Sequence, residues 1–375
     1  MRVLFLNENI GGHVTVHVGI AGALSTHPDV EAEFLDVPPP GLFRRVLAAP
    51  LPGLARLDLD LQPLRHQLAA AAVARRLLNA RLGRFDALHV YTQNAALLST
   101  GLVRSRPTVV STDSTNARNA FVLPYRYPSR FTARMLPITT RFEHQVYRAA
   151  TIIVAGSRWI HESLLEDYGV PEEKIRVLPF GILVPDSLPT RTRHDRPRVT
   201  FVGRSMERKG GRRLLELHQQ QLRDRCLLTL VTQERVKGGL PSVEVRNDVT
   251  PGDGKLASIL ADTDVFVFPS AMDQSPNVVL EAMAAGLPVV ALPVAAVPEM
   301  VEHGVTGLLV AEGDDDGLVS AIRSLLDDPA TARAMGTRGR QHVLKCFDAT
   351  TSTSRLLEII HEAVDLHGHG EGGQA

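Results

Sequence analysis

Cysteine, lysine, aromatic residues and long apolar runs are all scarce in this chain of 375 residues. Its two cysteines, Cys226 and Cys346, are too few for a disulfide framework and are typical of a reducing compartment. No run of 18 apolar residues occurs, so the sequence predicts no membrane-spanning helix. The apolar run Met1–Leu6 is too short for the core of a signal peptide and predicts a first β-strand instead. These absences together predict a cytoplasmic protein.

Positive charge is concentrated in one part of a chain whose formal net charge is zero. Residues 37–148 contain 16 arginines, no lysine and only 5 acidic residues. Several of these arginines lie among apolar residues, as in the stretch 42–48, and basic amphipathic stretches dock on anionic membrane surfaces or bind anionic acceptors. The alternative interpretation is a set of solvated helix faces in a chain that uses arginine in place of lysine. We expect peripheral contact with the inner face of a membrane through residues 37–148, and no binding to nucleic acid.

Strands and helices alternate along most of the sequence, which predicts an α/β protein with parallel sheets covered on both faces. The alternation is interrupted by the polar, proline-rich stretch 183–197, which is typical of an interdomain linker. We therefore predict two doubly wound, Rossmann-like domains, residues 1–182 and 198–350, facing each other across a cleft. The polar, glycine-rich stretch 367–375 is predicted to be disordered.

The most informative stretch of the sequence is 270–286, between two apolar runs that predict strands. Ser275 occupies the position of an N-cap, Pro276 the first helical position and Gly286 a left-handed helix stop. The N-terminus of the predicted helix offers free N–H groups and the positive end of a dipole, both of which favour phosphate. The pattern therefore predicts a phosphate site at the start of this helix.

Two carboxylates and two cations accompany the predicted phosphate site. Asp273 precedes the helix and Glu281 lies just over one turn inside it, where a carboxylate is placed to accept hydrogen bonds from ribose hydroxyls. Arg204 and Lys209 stand five residues apart on a glycine-containing turn after another predicted strand, which suits a pyrophosphate. Such cations stabilise charge on a diphosphate without a metal ion. We predict a metal-independent nucleotide site; the alternatives are an ordinary α/β repeat with incidental carboxylates and a charged surface turn.

These two motifs resemble those of the retaining family-4 glycosyltransferases, which have the two-domain GT-B architecture. Arg204 and Lys209 match the family's Gly-Arg-x4-Lys-Gly motif, and the resemblance implies that they stabilise the leaving nucleoside diphosphate. Asp273 and Glu281 match its Glu-x7-Glu motif, with aspartate in place of the first glutamate. The resemblance implies that Glu281 binds the donor ribose and that Asp273 contacts the sugar. The backbone at the start of the helix is expected to bind donor oxygens at Pro276, Asn277, Val278 and Val279.

The resemblance extends to the first domain, with departures. Gly12 belongs to a loop similar to the family's N-terminal glycine loop, where the backbone approaches a ligand closely, and it is expected to bind the donor. His13 is expected to contact acceptor or donor; its alternative is a capping or surface role. Asp113 stands where the family has a histidine, and Tyr91 ends a His-Val-Tyr run where a His-x-His pattern is common. We expect both on the acceptor side, with Asp113 bonding a sugar hydroxyl or acting as a general base, or alternatively capping the next turn.

The resemblance as a whole implies a retaining glycosyltransferase of the GT-B architecture. Its substrates are expected to be a nucleotide diphosphate sugar and an acceptor hydroxyl on a glycolipid, polysaccharide or other glycoconjugate, with no separate cofactor. The resemblance also implies that a last helix over 351–366 crosses back to pack on the first domain. One alternative is a nucleotide-sugar-binding partner subunit that has lost catalysis, to which the changes at Asp113 and Asp273 point. Another is a nucleotide-sugar epimerase, which shares the two-domain architecture.

Overall fold

The computed structural model describes residues 1–8, 13–51, 53–59, 61–121, 128–188, 194–236, 239–250 and 254–372. The chain divides into two compact units. Unit 1 comprises Met1–Gly181 together with Ala349–Ala375, and unit 2 comprises Ile182–Asp348.

Unit 1 is built on a parallel six-stranded sheet. Its strands are β1 (Arg2–Asn7), β2 (Glu31–Asp36), β3 (Ala87–Tyr91), β4 (Thr108–Thr112), β5 (Ile152–Ala155) and β6 (Ile175–Val177). The helices between them are α1 (His13–Ala23), α2 (Leu42–Ala48), α3 (Gln62–Asn79), α4 (Thr100–Arg104), α5 (Asn116–Asn119), α6 (Thr132–Ala149) and α7 (Arg158–Glu166). The strand order is β2-β1-β3-β4-β5-β6, and every pairing is parallel.

Unit 2 repeats this design with a second parallel six-stranded sheet. Its strands are β7 (Arg198–Val202), β8 (Leu227–Val231), β9 (Val243–Arg246), β10 (Val265–Phe268), β11 (Val289–Ala291) and β12 (Gly307–Leu309). Its helices are α8 (Gly211–Leu217), α9 (Lys255–Ala261), α10 (Asn277–Ala284), α11 (Val297–Met300), α12 (Asp315–Asp327) and α13 (Pro329–Cys346). The strand order is β12-β11-β10-β7-β8-β9, again with parallel pairing throughout.

Three of the four central strands are buried along their whole length. Every residue of β3, β4 and β10 is buried. Strands that are covered by helices on both faces read as near-continuous runs of valine, isoleucine and leucine, because neither face alternates with solvent. The runs Val-Phe-Val-Phe in β10 and Ile-Ile-Val-Ala in β5 show this pattern, which is why the sequence indicates parallel sheets.

The last helix, α14 (Ala349–Gly372), belongs to unit 1. Its apolar side chains, among them Leu356 and Ile360, pack in one buried cluster with Phe5 of β1. The predicted disorder of 367–375 is wrong for residues 367–372, which are helical. Adding a residue to a helix that tertiary packing already stabilises does not require a new nucleus, so a polar, glycine-rich end can continue it. Residues 373–375 lie outside the described residues.

Long helices in this protein are amphipathic or polar. The helices α3 and α6 have 18 residues each, and both carry arginines along their length. Within the described parts of the chain, no helix combines the length and the apolar character that are needed to cross a bilayer.

Candidate active site

The strand order reverses once in each sheet, and doubly wound α/β domains bind ligands at the carboxyl ends of the strands that flank such a reversal. In unit 1 the reversal lies between β1 and β3, and in unit 2 it lies between β7 and β10. In unit 2 the loops after these strands begin at Gly203 and Pro269. The cations and carboxylates predicted to bind a donor therefore follow the two strands where a ligand is expected.

The turn after β7, residues 203–210, packs against the end of β10. Gly210 has the left-handed backbone conformation, with φ of 75°. A Cβ atom at this residue would lie 2.1 Å from the carbonyl oxygen of Pro269. Glycine has no Cβ atom, so it accommodates both the positive φ and the close approach of the Pro269 carbonyl oxygen, whereas other residues do not. The turn thereby brings Lys209 to the loop that follows β10.

Lys209 forms an ion pair with Asp273 of that loop. The side chains are only 15% and 13% exposed, respectively. The amine of Lys209 also lies 5.4 Å from the ring centroid of Phe268, within the range of a cation–π interaction. Burying a charge without a partner costs free energy, because the charge loses its hydration. In this pair each group gives the other a partner that replaces part of the lost interaction with water. The fold thus places in direct contact two residues that are 64 positions apart in the sequence.

Two opposing effects act on the Lys209 amine. Burial, with a smaller contribution from the nearby guanidinium of Arg208, lowers the pKa of Lys209 to about 7. The carboxylate of Asp273 acts in the opposite direction, because an adjacent negative charge stabilises the protonated amine. The ion pair with Asp273 therefore favours the cationic form of Lys209, against the effect of burial.

Arg204, the second predicted cation, lies on the same turn with its side chain exposed. Its backbone is fixed by Thr232, whose hydroxyl donates to the Arg204 carbonyl oxygen at 3.3 Å. An exposed guanidinium on a fixed backbone can offer two parallel N–H donors to phosphate oxygens.

The helix after β10 begins one residue later than predicted. The first residue of α10 is Asn277, and its N-cap is Pro276, so the predicted N-cap Ser275 is wrong. Pro276 has no N–H group, and the N–H group of Val279 donates to the carbonyl oxygen of Pro276 at 3.0 Å. Gly286 has the predicted left-handed conformation, with φ of 75°, just after the helix.

Glu281 lies on α10, just over one turn from its start, and is half-buried. Burial raises the pKa of its carboxyl group. No hydrogen bond or ion pair joins this carboxylate to another residue in the part of the chain that the structure describes. A half-buried carboxylate in this state is available to accept hydrogen bonds from ligand hydroxyls.

In unit 1 the structure places Tyr91 and Asp113 together, at the carboxyl ends of β3 and β4. The hydroxyl of Tyr91 donates to Oδ2 of Asp113 at 3.4 Å. Burial raises the pKa of Tyr91 well above its usual value, and the negative charges of Asp113 and Glu8 raise it further. Tyr91 therefore stays protonated and donates. The residue that caps α5 is Thr115, whose side chain accepts from a backbone N–H, so Asp113 is not its N-cap.

Two of the predicted site residues are not fully described by the structure. Gly12 lies outside the described residues. His13 is the first residue of α1, and only its backbone is described. The roles expected of both residues stay predictions.

Sequence reasoning missed Glu8, which directly follows β1 at the reversal in unit 1. Its carboxylate is buried and accepts from the hydroxyl of Thr92 at 2.7 Å and from the side-chain amide of Asn94 at 3.2 Å. The signal was available, because an acidic residue directly after the first strand of a doubly wound domain lies at a ligand-binding edge. A second carboxylate, Glu143 of α6, was missed as well, and nothing in the pattern of that helix marks it.

Known proteins resemble this chain in sequence and in structure. Residues 13–183 match the family described as Glycosyltransferase Family 4, and residues 196–328 match Glycosyl transferases group 1. The chain is 26% identical over 308 residues to the MMP alpha-(1->4)-mannosyltransferase of Mycolicibacterium hassiacum, a match that covers 78% of this chain and 74% of that protein.

Among solved structures, sucrose-phosphate synthase from Thermosynechococcus elongatus superimposes with a TM-score of 0.72 at 19% identity, covering 96% of this chain and 98% of that one. Anabaena HepE in complex with UDP-glucose superimposes with a TM-score of 0.68 at 18% identity, covering 96% and 100%. The two family matches together span most of the chain, and the solved structures share its fold. The chain belongs to the family-4 glycosyltransferases and has the GT-B fold. The predicted family and the predicted fold class are confirmed.

The ion pair predicts how stability depends on pH. In an Asp273→Asn variant, burial and the guanidinium of Arg208 still lower the pKa of Lys209 below the 10.5 of an ordinary lysine, and no carboxylate opposes them. Between the lowered pKa and 10.5 the folded variant binds fewer protons than the unfolded chain, so its stability rises with pH. We expect a loss of about 1–3 kcal/mol at pH 6, where the unpaired amine is still charged, and a smaller loss at pH 9. Urea unfolding of wild type and variant at both pH values measures the two differences.

Asp315→Asn is the matched control for this experiment. Asp315 pairs with Arg213 of the same unit, and a guanidinium does not titrate in this range. Its loss of stability should be equal at pH 6 and pH 9. An equal loss at the two pH values for Asp273→Asn would contradict the account of Lys209.

Proposed function

We propose that the protein is a retaining glycosyltransferase that moves a sugar from a nucleotide diphosphate sugar to an acceptor hydroxyl of a glycolipid, polysaccharide or other glycoconjugate. The observation that carries the proposal is the buried Lys209–Asp273 pair at the strand-order reversal of unit 2, on the loop that leads into α10. Family membership supports it, as do the name of the mannosyltransferase relative and the UDP-glucose bound to Anabaena HepE.

In the proposed reaction, the bond between the anomeric carbon and the diphosphate oxygen breaks, and its electron pair leaves on the diphosphate. The acceptor oxygen bonds to the same face of the anomeric carbon, and its proton passes to the carboxylate of Asp113, which acts as a general base. Lys209 and Arg204 stabilise the negative charge that develops on the diphosphate. Cations fixed in a poorly hydrated site do this well because they need little reorganisation at the moment of reaction.

The carboxylates accept hydrogen bonds from the hydroxyl groups of the substrates. Lys209 is paired with Asp273 in the structure, so donor binding is proposed to exchange partners: the diphosphate takes the amine, and Asp273 turns to the hydroxyls of the sugar. Glu281, which is available on α10, accepts from the ribose. On the acceptor side Asp113, held by Tyr91, accepts a hydrogen bond from the acceptor hydroxyl. The N–H groups of the first turn of α10 bind donor oxygens.

We propose that this transfer needs no metal ion and no separate cofactor. Arg204 and Lys209 supply the positive charge that a divalent cation would otherwise supply at the diphosphate. Turnover is therefore expected to be the same in 5 mM EDTA as in excess Mg²⁺ or Mn²⁺, within about twofold. Loss of turnover in EDTA that a divalent cation restores would contradict this part of the proposal.

The decisive test combines a donor panel with a Lys209 variant. UDP-, GDP- and ADP-linked sugars are offered to the purified protein, and thermal shift and nucleoside diphosphate release are followed together. One donor should raise the melting temperature, because a ligand that binds only the folded state stabilises it. That donor should also release diphosphate. Lys209→Ala is expected to lower kcat by about 10²–10³-fold with this donor, because it removes one preorganised charge from the leaving group.

Arg212→Ala is the control, since Arg212 lies three residues further on and is 57% exposed in an ion pair with Glu207. It should turn over as fast as wild type. A Lys209→Ala variant with normal turnover would reject the assignment of the leaving-group site. A thermal shift without release, even with acceptor extracts, would favour the binding subunit that has lost catalysis. Release of an altered free sugar without any acceptor would favour an epimerase.

We further propose that the acceptor side works at the inner, cytoplasmic face of an anionic membrane. The support is α2 and the stretch that follows it, where Leu42 is 82% exposed, Val46 is 66% exposed, and Leu51 and Leu54 are also exposed. Arg44 and Arg45 lie on the same helix. Apolar side chains beside arginines suit the boundary between acyl chains and anionic headgroups.

Vesicle sedimentation tests this contact. The protein should bind vesicles of phosphatidylcholine and phosphatidylglycerol (7:3), bind phosphatidylcholine vesicles less, and lose binding as salt screens the arginines. A Leu42→Ser, Val46→Ser double variant should bind about tenfold or more weakly, because two exposed apolar side chains no longer enter the bilayer. Leu366→Ser on α14 alters a similarly exposed leucine and should bind like wild type. Equal binding by both variants would contradict a contact through α2.

A further inference from the structure

The loop that carries Asp113 is fixed from several sides. The side-chain amide of Gln93 donates to the carbonyl oxygen of Ser114 at 2.9 Å, and the hydroxyl of Thr112 donates to the same oxygen at 2.7 Å. The hydroxyls of Thr115 and Ser163 are hydrogen-bonded at 2.8 Å. Residues 113–116 are thus held by contacts from β4, α7 and the turn that follows β3.

A buried carboxylate lies at the centre of these contacts. Glu143 of α6 is completely buried. One of its oxygens accepts from the side-chain amide of Gln93 at 2.7 Å, and the other accepts from the hydroxyl of Tyr168. The backbone N–H of Asn116 lies 3.2 and 3.1 Å from the two oxygens. Glu143 therefore binds the start of α5, three residues after Asp113, although it belongs to another helix.

Tyr168 extends the same arrangement by one residue. Its hydroxyl donates to Glu143 and accepts from the backbone N–H of Ala117 at 3.2 Å. The first two N–H groups of α5 are thus both satisfied by side chains from other elements. The N–H groups at the start of a helix have no partner within the helix, and here tertiary contacts supply the partners.

The partners of Glu143 are neutral. Among the described residues, no lysine, arginine or histidine forms an ion pair with it. Burial raises the pKa of Glu143 to about 7, and its hydrogen bonds with Tyr168, Gln93 and Asn116 oppose that shift. A buried carboxylate without a counter-ion is stable only while its donors stay in place, so the arrangement has one geometry.

We propose that Glu143 is a positioning residue for sugar transfer, which acts by holding the 113–117 loop so that Asp113 faces the acceptor hydroxyl. This inference rests on the acceptor role given to Asp113 under the proposed function. Glu143 itself is completely buried and does not touch substrate.

Glu143→Gln is the sharpest variant, because it keeps the volume and removes the negative charge. The glutamine NH₂ group would face groups that are themselves donors, so at least one donor around residue 143 loses its partner. We expect kcat/KM for the acceptor to fall about 10–100-fold. The affinity for the nucleotide-sugar donor, measured by thermal shift, should stay within about twofold, because the residues proposed to bind the diphosphate, sugar and ribose belong to unit 2.

A double-mutant cycle then separates positioning from ordinary stabilisation. If Glu143 acts through Asp113, the Asp113→Asn, Glu143→Gln double variant should be no more than about threefold slower than Asp113→Asn alone. Effects of the two substitutions that multiply would overturn the inference, as would a Glu143→Gln variant as fast as wild type. Asp113→Asn with wild-type kinetics would instead reject the acceptor role of Asp113, so the two failures are distinguishable.

Thr132→Val controls for lost stability. Thr132 is also buried on α6, and its hydroxyl donates to Asp58 at 2.6 Å, away from the 113–117 loop. It should lower the melting temperature without changing kcat/KM for the acceptor. Tyr168→Phe, which keeps the carboxylate and removes one donor, should lie between wild type and Glu143→Gln in kcat/KM. If Thr132→Val slows transfer as much as Glu143→Gln at a similar melting temperature, Glu143 has only a structural role.

Discussion

The position of this active site depends on one constraint of parallel sheets. A parallel strand must be followed by a crossover, and where two neighbouring strands send their crossovers in opposite directions, no connection covers the sheet edge between them. Each unit of this protein contains such a reversal, between β1 and β3 and between β7 and β10. The faces of each sheet are packed against helices and need apolar side chains. The loops at the uncovered edge are not packed in this way, so they can carry polar side chains. Glu8 in unit 1 and Arg204, Lys209 and Asp273 in unit 2 lie in these loops for that reason.

The Lys209–Asp273 pair shows how loops at a strand-order reversal can hold charged groups in place for chemistry. A lysine that is mostly removed from water tends to lose its proton, and a neutral amine would not stabilise a departing diphosphate. The carboxylate of Asp273 favours the charged amine while no donor is bound, and it also occupies that amine, so the proposed role of Lys209 requires an exchange of partners. Aspartate is one methylene shorter than the glutamate that the family places here, so its contact with Lys209 and its reach toward a sugar differ from the family pattern. This substitution therefore affects the donor side and the resting state together.

Much of the fold and part of the site could be predicted from the sequence. Continuous apolar runs indicate buried parallel strands, and Arg204, Lys209, Asp273 and Glu281 belong to short motifs whose spacing is visible in one chain. The N-cap of α10 was placed one residue too early, because serine before proline matches the usual start of a helix, whereas Pro276 has an extended backbone and Asn277 is the first helical residue. The length of α14 was underestimated because the composition of its end gives no sign of the packed segment before it.

The two carboxylates that were not predicted, Glu8 and Glu143, both contact residues that are distant in the sequence. Glu8 contacts residues that follow another strand 84 positions away, and Glu143 joins groups that lie between 25 and 50 positions away. The position of Glu8 directly after the first strand marks it as a residue at a ligand-binding edge but does not show its partners. Glu143 leaves no local pattern at all, since a carboxylate within an amphipathic helix looks like any surface charge until its neighbours are known. The motifs proposed to bind the donor are each local in the sequence, whereas the contacts that hold Asp113 and the residues after it join distant segments. In the proposed function, the preference of this protein for its acceptor depends on such contacts, through residues such as Glu143 and Asp113.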